Sequence, residues 1–207
     1  DQGYVFCWIK VSEGLTWVDS KWVLHDTEAG AAGFYRGPYH YFRVEFNGAL
    51  QARHFFAQVQ LGKWELPPVV DVEKINNAGK VSQAVFAARL RNFLVEYERL
   101  SGVRPVIYTS RDAWNTLVGT TAWATAYDLW TAHYTAYPIP LIPNDWSGKG
   151  WKIWQYTSTP LDQNRFNGDE AALREWAGIK PPGLSLEQRL ANLEVWARTL
   201  GYNDETN

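Results

Sequence analysis

Two carboxylates stand two residues apart in the run Val69-Val70-Asp71-Val72-Glu73. On a strand, side chains at that spacing share a face, so Asp71 and Glu73 project together while Val70 and Val72 point the other way. The strand is expected to end there, because Lys74-Ile75-Asn76-Asn77-Ala78-Gly79 reads as a loop. Adjacent carboxylates repel each other, which raises the pKa of one. A carboxyl group that keeps its proton near neutral pH can act as a general acid. A salt-bridged surface pair or a metal-binding pair uses the same residue types, and spacing by itself does not separate the three readings. Asp162, in Asp162-Gln163-Asn164-Arg165-Phe166, supplies a further carboxylate at a late strand end. Glu13, in Val11-Ser12-Glu13-Gly14, reads as a structural or orienting acid.

Aromatic residues accompany these acids. The chain holds 12 Trp, 11 Tyr and 9 Phe, and core packing accounts for most of them. Trp and Tyr also present flat faces with a polar handle, as a sugar-binding groove requires. His40 lies between Tyr39 and Tyr41 and faces away from both on a regular strand, so it reads as a satisfied core residue and not a base. His25, His54 and His133 form no ligand pattern. Cys7 is the only cysteine, which excludes an intrachain disulfide, and its apolar neighbours make it a buried strand residue, not a nucleophile. Zinc held by a Cys–His cluster is excluded by count, and neither metal nor cofactor is expected.

The elements that must position these groups alternate. Strands are expected at Tyr4–Val11, Phe34–Phe42, Leu66–Val72, Pro105–Thr109, Leu129–Tyr134, Trp151–Tyr156 and Asp162–Phe166. Helices are expected at Trp17–Ala32, Asn47–Leu61, Val81–Leu100, Arg111–Leu117 and Glu170–Ala177. One stripe of the second helix holds Ala49, Ala52, Phe56 and Val59, and one of the third holds Phe86, Leu90, Phe93, Tyr97 and Leu100. Such alternation implies a parallel sheet with helical crossovers, and the strand count favours a barrel. No Gly-rich phosphate loop follows a strand, so a nucleotide-binding fold lacks its signature.

An ordered set of segments carries a resemblance. It runs Ile9-Lys10-Val11-Ser12-Glu13-Gly14, Tyr39-His40-Tyr41, Asp71-Val72-Glu73, Ile107-Tyr108-Thr109 and Leu129-Trp130-Thr131-Ala132, then Trp154-Gln155-Tyr156 and Asp162 to Phe166. In order and spacing this set resembles glycoside hydrolase family 25, the lysozymes of the Chalaropsis type, from about residue 3 to residue 178. The resemblance implies a (β/α) barrel of the irregular TIM-like type that hydrolyses the β-1,4 bond between N-acetylmuramic acid and N-acetylglucosamine in peptidoglycan. It implies Glu73 as the general acid, with Asp71 and Asp162 stabilising positive charge or orienting the substrate acetamide. Tyr39, Tyr41, Tyr108, Trp130, Tyr134 and Gln155 would line the sugar groove. An Asp two residues before the acid favours an acetamide-assisted mechanism over an Asp nucleophile.

The chain departs from that family at its start. Members begin with a strand of the form Asp-Val-Ser-x-Trp-Gln, whose Asp joins the acidic cluster, whereas Asp1-Gln2-Gly3 here resembles the end of the helix that follows it. A barrel lacking its first strand is therefore expected, with muramidase activity reduced or lost. A catalytically impaired cell-wall glycan-binding module is the alternative of a different class. A chitinase-like enzyme fits less well, because Pro67-Pro68-Val69-Val70 stands where those enzymes carry a longer acidic run.

The 207 residues suit one domain over 1–178, a Pro/Gly linker over 179–184, and an amphipathic helix and tail over 185–207. Leu186, Leu190, Leu193, Ala197 and Leu200 follow heptad spacing, which a helix folded back on the domain or an oligomerisation helix would each explain. The net charge of −2 gives no support for nucleic acid or an anionic membrane as partner. No membrane-spanning run and no signal peptide are visible, and the chain has no Met. The expected partner is the peptidoglycan glycan strand, met by a secreted or phage-released protein at the cell wall.

Overall fold

A computed structural model describes residues 3–180 and Leu190. The expected linker beyond Lys180 and the Leu186–Leu200 seam, apart from Leu190, lie outside the described residues. Among the described residues, eight strands form one sheet: β1 (Phe6–Glu13), β2 (Trp17–Val18), β3 (Tyr35–Tyr41), β4 (Val69–Asp71), β5 (Val106–Ser110), β6 (Leu129–Ala132), β7 (Ile153–Thr157) and β8 (Gln163–Phe166). Their order is β2-β1-β3-β4-β5-β6-β7-β8, parallel from β1 to β7, with β2 and β8 antiparallel at the two ends.

The sheet curls. The indole of Trp8 on β1 meets that of Trp130 on β6 with ring centroids 4.8 Å apart, although three strands stand between them in the sheet. Yet no pairing joins β1 to β8 among the described residues, so the sheet is an open, curled half-barrel in place of the expected TIM-like barrel lacking its first strand. The short antiparallel β8 explains the difference: it covers β7 without supplying a parallel partner for β1.

Within residues 3–180 five α-helices accompany the sheet: α1 (Trp22–Ala31), α2 (Gly48–Val59), α3 (Gln83–Ser101), α4 (Arg111–Leu117) and α5 (Glu170–Trp176). Side-chain oxygens of Asn47, Ser82, Ser110 and Asp169 accept from backbone N–H groups at the starts of α2 to α5. Gly102, at φ 70°, closes α3. The first helix starts later than expected. Trp17 and Val18 suit a strand and pair with Glu13 and Ser12, and Asp19 then turns the chain by accepting from Lys21 N at 2.8 Å.

Alternation along each strand separates two cores. Val70, Ile107 and Leu129 face the helices with Phe86, Leu90, Phe93 and Tyr97 of α3. Leu94 joins that stripe, while Leu100 is only half-buried. On α2 the buried face is Gly48, Gln51, Ala52 and Phe55, one step round from the expected Ala49 and Phe56. Gln51 turns inward because its amide bonds to the chain leaving β3: Oε1 accepts from Arg43 N at 2.9 Å, and Nε2 donates to Arg43 O at 2.9 Å. The opposite, concave face of the sheet carries Val69, Val106, Tyr108, Trp130 and Ile153, with Phe6, Trp8 and Tyr39 packed against them.

Candidate active site

That concave face opens into a cleft of about 410 Å³. Asp71, Glu73, Asp162, Tyr39, Tyr41, Tyr108, Trp130 and Gln155 line it together. The structure thus brings eight of the nine site residues expected from sequence into one cavity. The exception is Tyr134, which lies on a neighbouring cleft with Glu73 and Tyr108.

Strand ends place the two central acids. Asp71 is the last residue of β4, and Val72 N continues the ladder by donating to Tyr108 O at 2.9 Å. Extended backbone persists past Asp71, so Asp71 and Glu73 reach the same cleft while Val70 and Val72 are fully buried against the helices. Asn77 then holds the loop: its Nδ2 donates to Glu73 O at 3.0 Å and Phe42 O at 2.8 Å.

The electrostatics favour retained protons. Burial, then repulsion from Glu73, pushes the Asp71 carboxyl well above the usual range, and Lys10 only partly offsets this. Asp71 Oδ1 is buried without a hydrogen-bond partner. Burial also raises Glu73, as does Asp162, while the Tyr108 hydroxyl and Lys10 pull it down. The two acids interact closely, so their protons belong to the pair. Glu13 is in the opposite condition. Lys10 Nζ at 2.9 Å and Arg43 Nη1 at 2.8 Å occupy its two oxygens, and although burial opposes them these bonds hold its pKa low. Glu13 is therefore an anchor for Lys10, in keeping with an orienting role.

His40 is fully buried, and burial lowers its pKa to about 3. Gln51 Oε1 already accepts from Arg43 N, so His40 Nε2–H donates to that oxygen at 3.3 Å. His40 Nδ1 then accepts from Ser12 Oγ at 2.9 Å. It is a neutral core histidine, as its place in the strand pattern implies. Cys7 is half-buried and not fully buried as expected; it packs against the helix-side core, and burial pushes its thiol up to about 11.

Sequence reasoning missed Trp8, Lys10 and Asn164 as site residues. Period-two alternation held the signal: Lys10 pairs in register with Tyr39, and Trp8 sits one step before it on the same face. Gly37 opposite Trp8 has a matching use, since a Cβ there would run into the Trp8 indole. Asn164 accepts from Trp130 Nε1 at 3.0 Å. Lys10 Nζ lies 4.7 Å from the Trp17 ring and 5.0 Å from the Tyr41 ring. A larger cavity of about 650 Å³ lies at the strand starts, but its charged groups are committed elsewhere: Glu65 to Arg36, Arg104 to Glu98 and Asp128 to Lys149. In the concave cleft, Asp71, Glu73 and Asp162 form no ion pair among the described residues.

An α/β fold with a coupled acid pair at strand ends, in an aromatic-walled groove, defines a class of protein with a strand-end acid site. A family model described as "Glycosyl hydrolases family 25" matches residues 1–164, and the chain belongs to that family. Lysozyme M1 of Streptomyces globisporus is 29% identical over 189 residues, covering 83% of this chain and 63% of that protein. The structure of a muramidase from Acremonium alcalophilum matches with a TM-score of 0.75 at 31% identity, over 85% of this chain and 88% of that one. A family GH25 lysozyme from Aspergillus fumigatus matches with a TM-score of 0.75 at 32% identity, over 84% and 87%. The chain spans 63–64% of the length of the first curated relatives it matches.

Proposed function

We propose that this chain is a peptidoglycan hydrolase, a muramidase that cleaves the β-1,4 bond between N-acetylmuramic acid and N-acetylglucosamine. The observation that carries the reading is the buried, unpartnered Asp71 Oδ1 beside a proton-retaining Glu73 in an aromatic cleft. In this reading Glu73 donates its proton to the glycosidic oxygen as the bond to the anomeric carbon breaks. The acetamide oxygen of the cationic sugar that keeps the anomeric carbon closes on that carbon, while the other sugar departs as a neutral alcohol. The acetamide N–H donates to Asp71, which gives Oδ1 a partner and favours the ionised form of Asp71. The shared proton is thereby moved onto Glu73, where the reaction uses it. Asp162 adds negative charge on the same side. Tyr39, Tyr41, Tyr108, Trp130 and Gln155 hold the sugar rings. Water then opens the cyclic intermediate with Glu73 as base, and the anomeric configuration is retained.

The same reading places the protein at bacterial cell walls, secreted or released by a phage, with the glycan strand as partner. It also includes an irregular TIM-like barrel in which a further strand occupies the place between β1 and β8. Support comes from β1, which from Phe6 to Lys10 is paired only on its β3 side among the described residues. That open edge favours a second reading, a module that holds glycan without cutting it. Turbidity loss of a peptidoglycan suspension separates the two. The chain clears the suspension and releases reducing ends, and Glu73→Gln is slower by about 10²–10⁴-fold. Equal rates for the two proteins would dispose of Glu73 as the acid, and retention on peptidoglycan with no reducing ends released by the unaltered chain would establish the binding module.

A further inference from the structure

Asp71 Oδ1 is buried without a hydrogen-bond partner, yet a lysine borders the same cleft. An ammonium on a flexible stem, with three N–H groups to donate, is well suited to close on a buried carboxylate. No ion pair joins Lys10 to Asp71 among the described residues, and the surroundings of Lys10 supply the reason. Its Nζ donates to Glu13 Oε2 at 2.9 Å and lies 4.7 and 5.0 Å from the centroids of the Trp17 and Tyr41 rings. Glu13 is in turn fixed by Arg43 Nη1 at 2.8 Å, Arg43 by Glu45 at 2.7 Å, and Glu45 by Lys80 at 2.8 Å. This chain of alternating charges runs from β1 through the segments that follow β3 and β4. Tyr41 stands between the two groups, since it is in register with Asp71, and its hydroxyl is tied down by donating to Ile75 O at 2.6 Å.

We propose that Glu13 is a positioning residue for the acid pair: it holds the Lys10 ammonium in the cleft but off Asp71, which leaves that carboxyl free for a donor on the substrate. This deepens the muramidase reading and rests on it, because the donor there is the acetamide N–H. An ammonium in contact with Asp71 would occupy the oxygen that the acetamide needs. It would also hold Asp71 ionised before any substrate arrived. Kept at a distance, Lys10 only moderates the pair, pulling both Asp71 and Glu73 down against burial. No other group facing Asp71 can take this part. The Tyr39, Tyr41 and Tyr108 hydroxyls on the flanking strands are kept protonated by burial. Glu73 and Asp162 add like charge. Among the described residues Lys10 is the one cation that borders the cleft.

The test follows the Asp71 carboxyl by carboxyl-carbon NMR across a pH titration, its signal identified by its loss in Asp71→Asn. Glu13→Gln keeps the shape of the side chain and gives up its charge. Lys10 then turns to Asp71, and the carboxyl titrates at lower pH than in the parent chain. Lys10→Met removes the cation, and the carboxyl titrates at higher pH. In the Lys10→Met background, Glu13→Gln displaces the titration far less than it does alone, because Glu13 acts through the lysine. The pH profile of reducing-end release moves in the same directions, and Glu13→Gln slows release at pH 7 about tenfold. Equal displacement by Glu13→Gln with and without Lys10 would show Glu13 acting through its own charge, and overturns the proposal. A uniform loss of rate with no movement of the titration also overturns it, since a merely structural role gives that result. A parent chain that releases no reducing ends at any pH overturns the muramidase reading, and the carboxyl titration, which needs no turnover, still decides whether Glu13 restrains Lys10.

Discussion

Asp71 is held in a condition that favours substrate over stability. Its side chain is buried, repelled by Glu73, and left with an oxygen that no donor in the cleft meets. A carboxyl whose pKa is raised on folding supports the native state only while protonated. Its contribution is complete below the unfolded Asp value of about 3.9 and is lost as pH rises through the folded value. Asp71→Asn removes that loss. The variant is expected to be more stable than the parent at pH 7 by about 1–3 kcal/mol, with the gain vanishing at low pH, while hydrolysis falls. Thermal melts at several pH values measure this. A lower melting temperature for the variant at pH 7 would show that Asp71 is stabilised by its neighbours and not poised for a ligand.

The helices matter to the site through the strand ends they brace. Gly48, the first residue of α2, has no room for a side chain: a Cβ there would run into Arg89 O and stand 3.0 Å from Phe93 N on α3. Gly48 therefore sets how closely α2 approaches α3, and Phe93 stacks on His40 of β3 at 5.2 Å while Phe55 meets the same ring at a tilt, 5.4 Å away. Gly48→Ala forces the two helices apart and is expected to cost about 1–3 kcal/mol, read as a lower denaturation midpoint in urea with the slope unchanged. An unchanged midpoint would mean that the helix pair is loosely packed. The buried face of α2 was hard to read in sequence for a related reason. Gln51 is polar, so hydrophobic periodicity passes over it, yet its amide satisfies three groups at the end of β3.

Across the whole molecule, ion pairs set the acid limit. Bonds from Arg43 and Lys80 overcome burial to lower the Glu45 pKa to about 2, and the Glu13 and Glu65 carboxylates are lowered by their own partners. Lowered carboxyl pKa values support folding above the unfolded value and are lost as pH falls through the folded one. Stability is therefore expected to fall steeply from about pH 4.5 toward pH 2, against the smaller opposite trend from Asp71 and Glu73. Replacing Arg43 by Met moves the loss to higher pH, and an acid unfolding curve identical to that of the parent would exclude the cluster as its cause. Part of this architecture is legible in the chain alone. Alternation in Val69–Glu73 and in Tyr39–Tyr41 assigns residues to faces, because side-chain direction along a strand has a fixed period that needs no partner. That period placed the acids and the aromatics on one side and His40 on the other. It cannot say which strands are neighbours. The meeting of Trp8 with Trp130 and the position of Tyr134 across Glu73 from the other aromatics depend on how the sheet curls. Whether the sheet closes depends on pairing between strand edges far apart in sequence. Those are long-range contacts, and only the folded chain decides them.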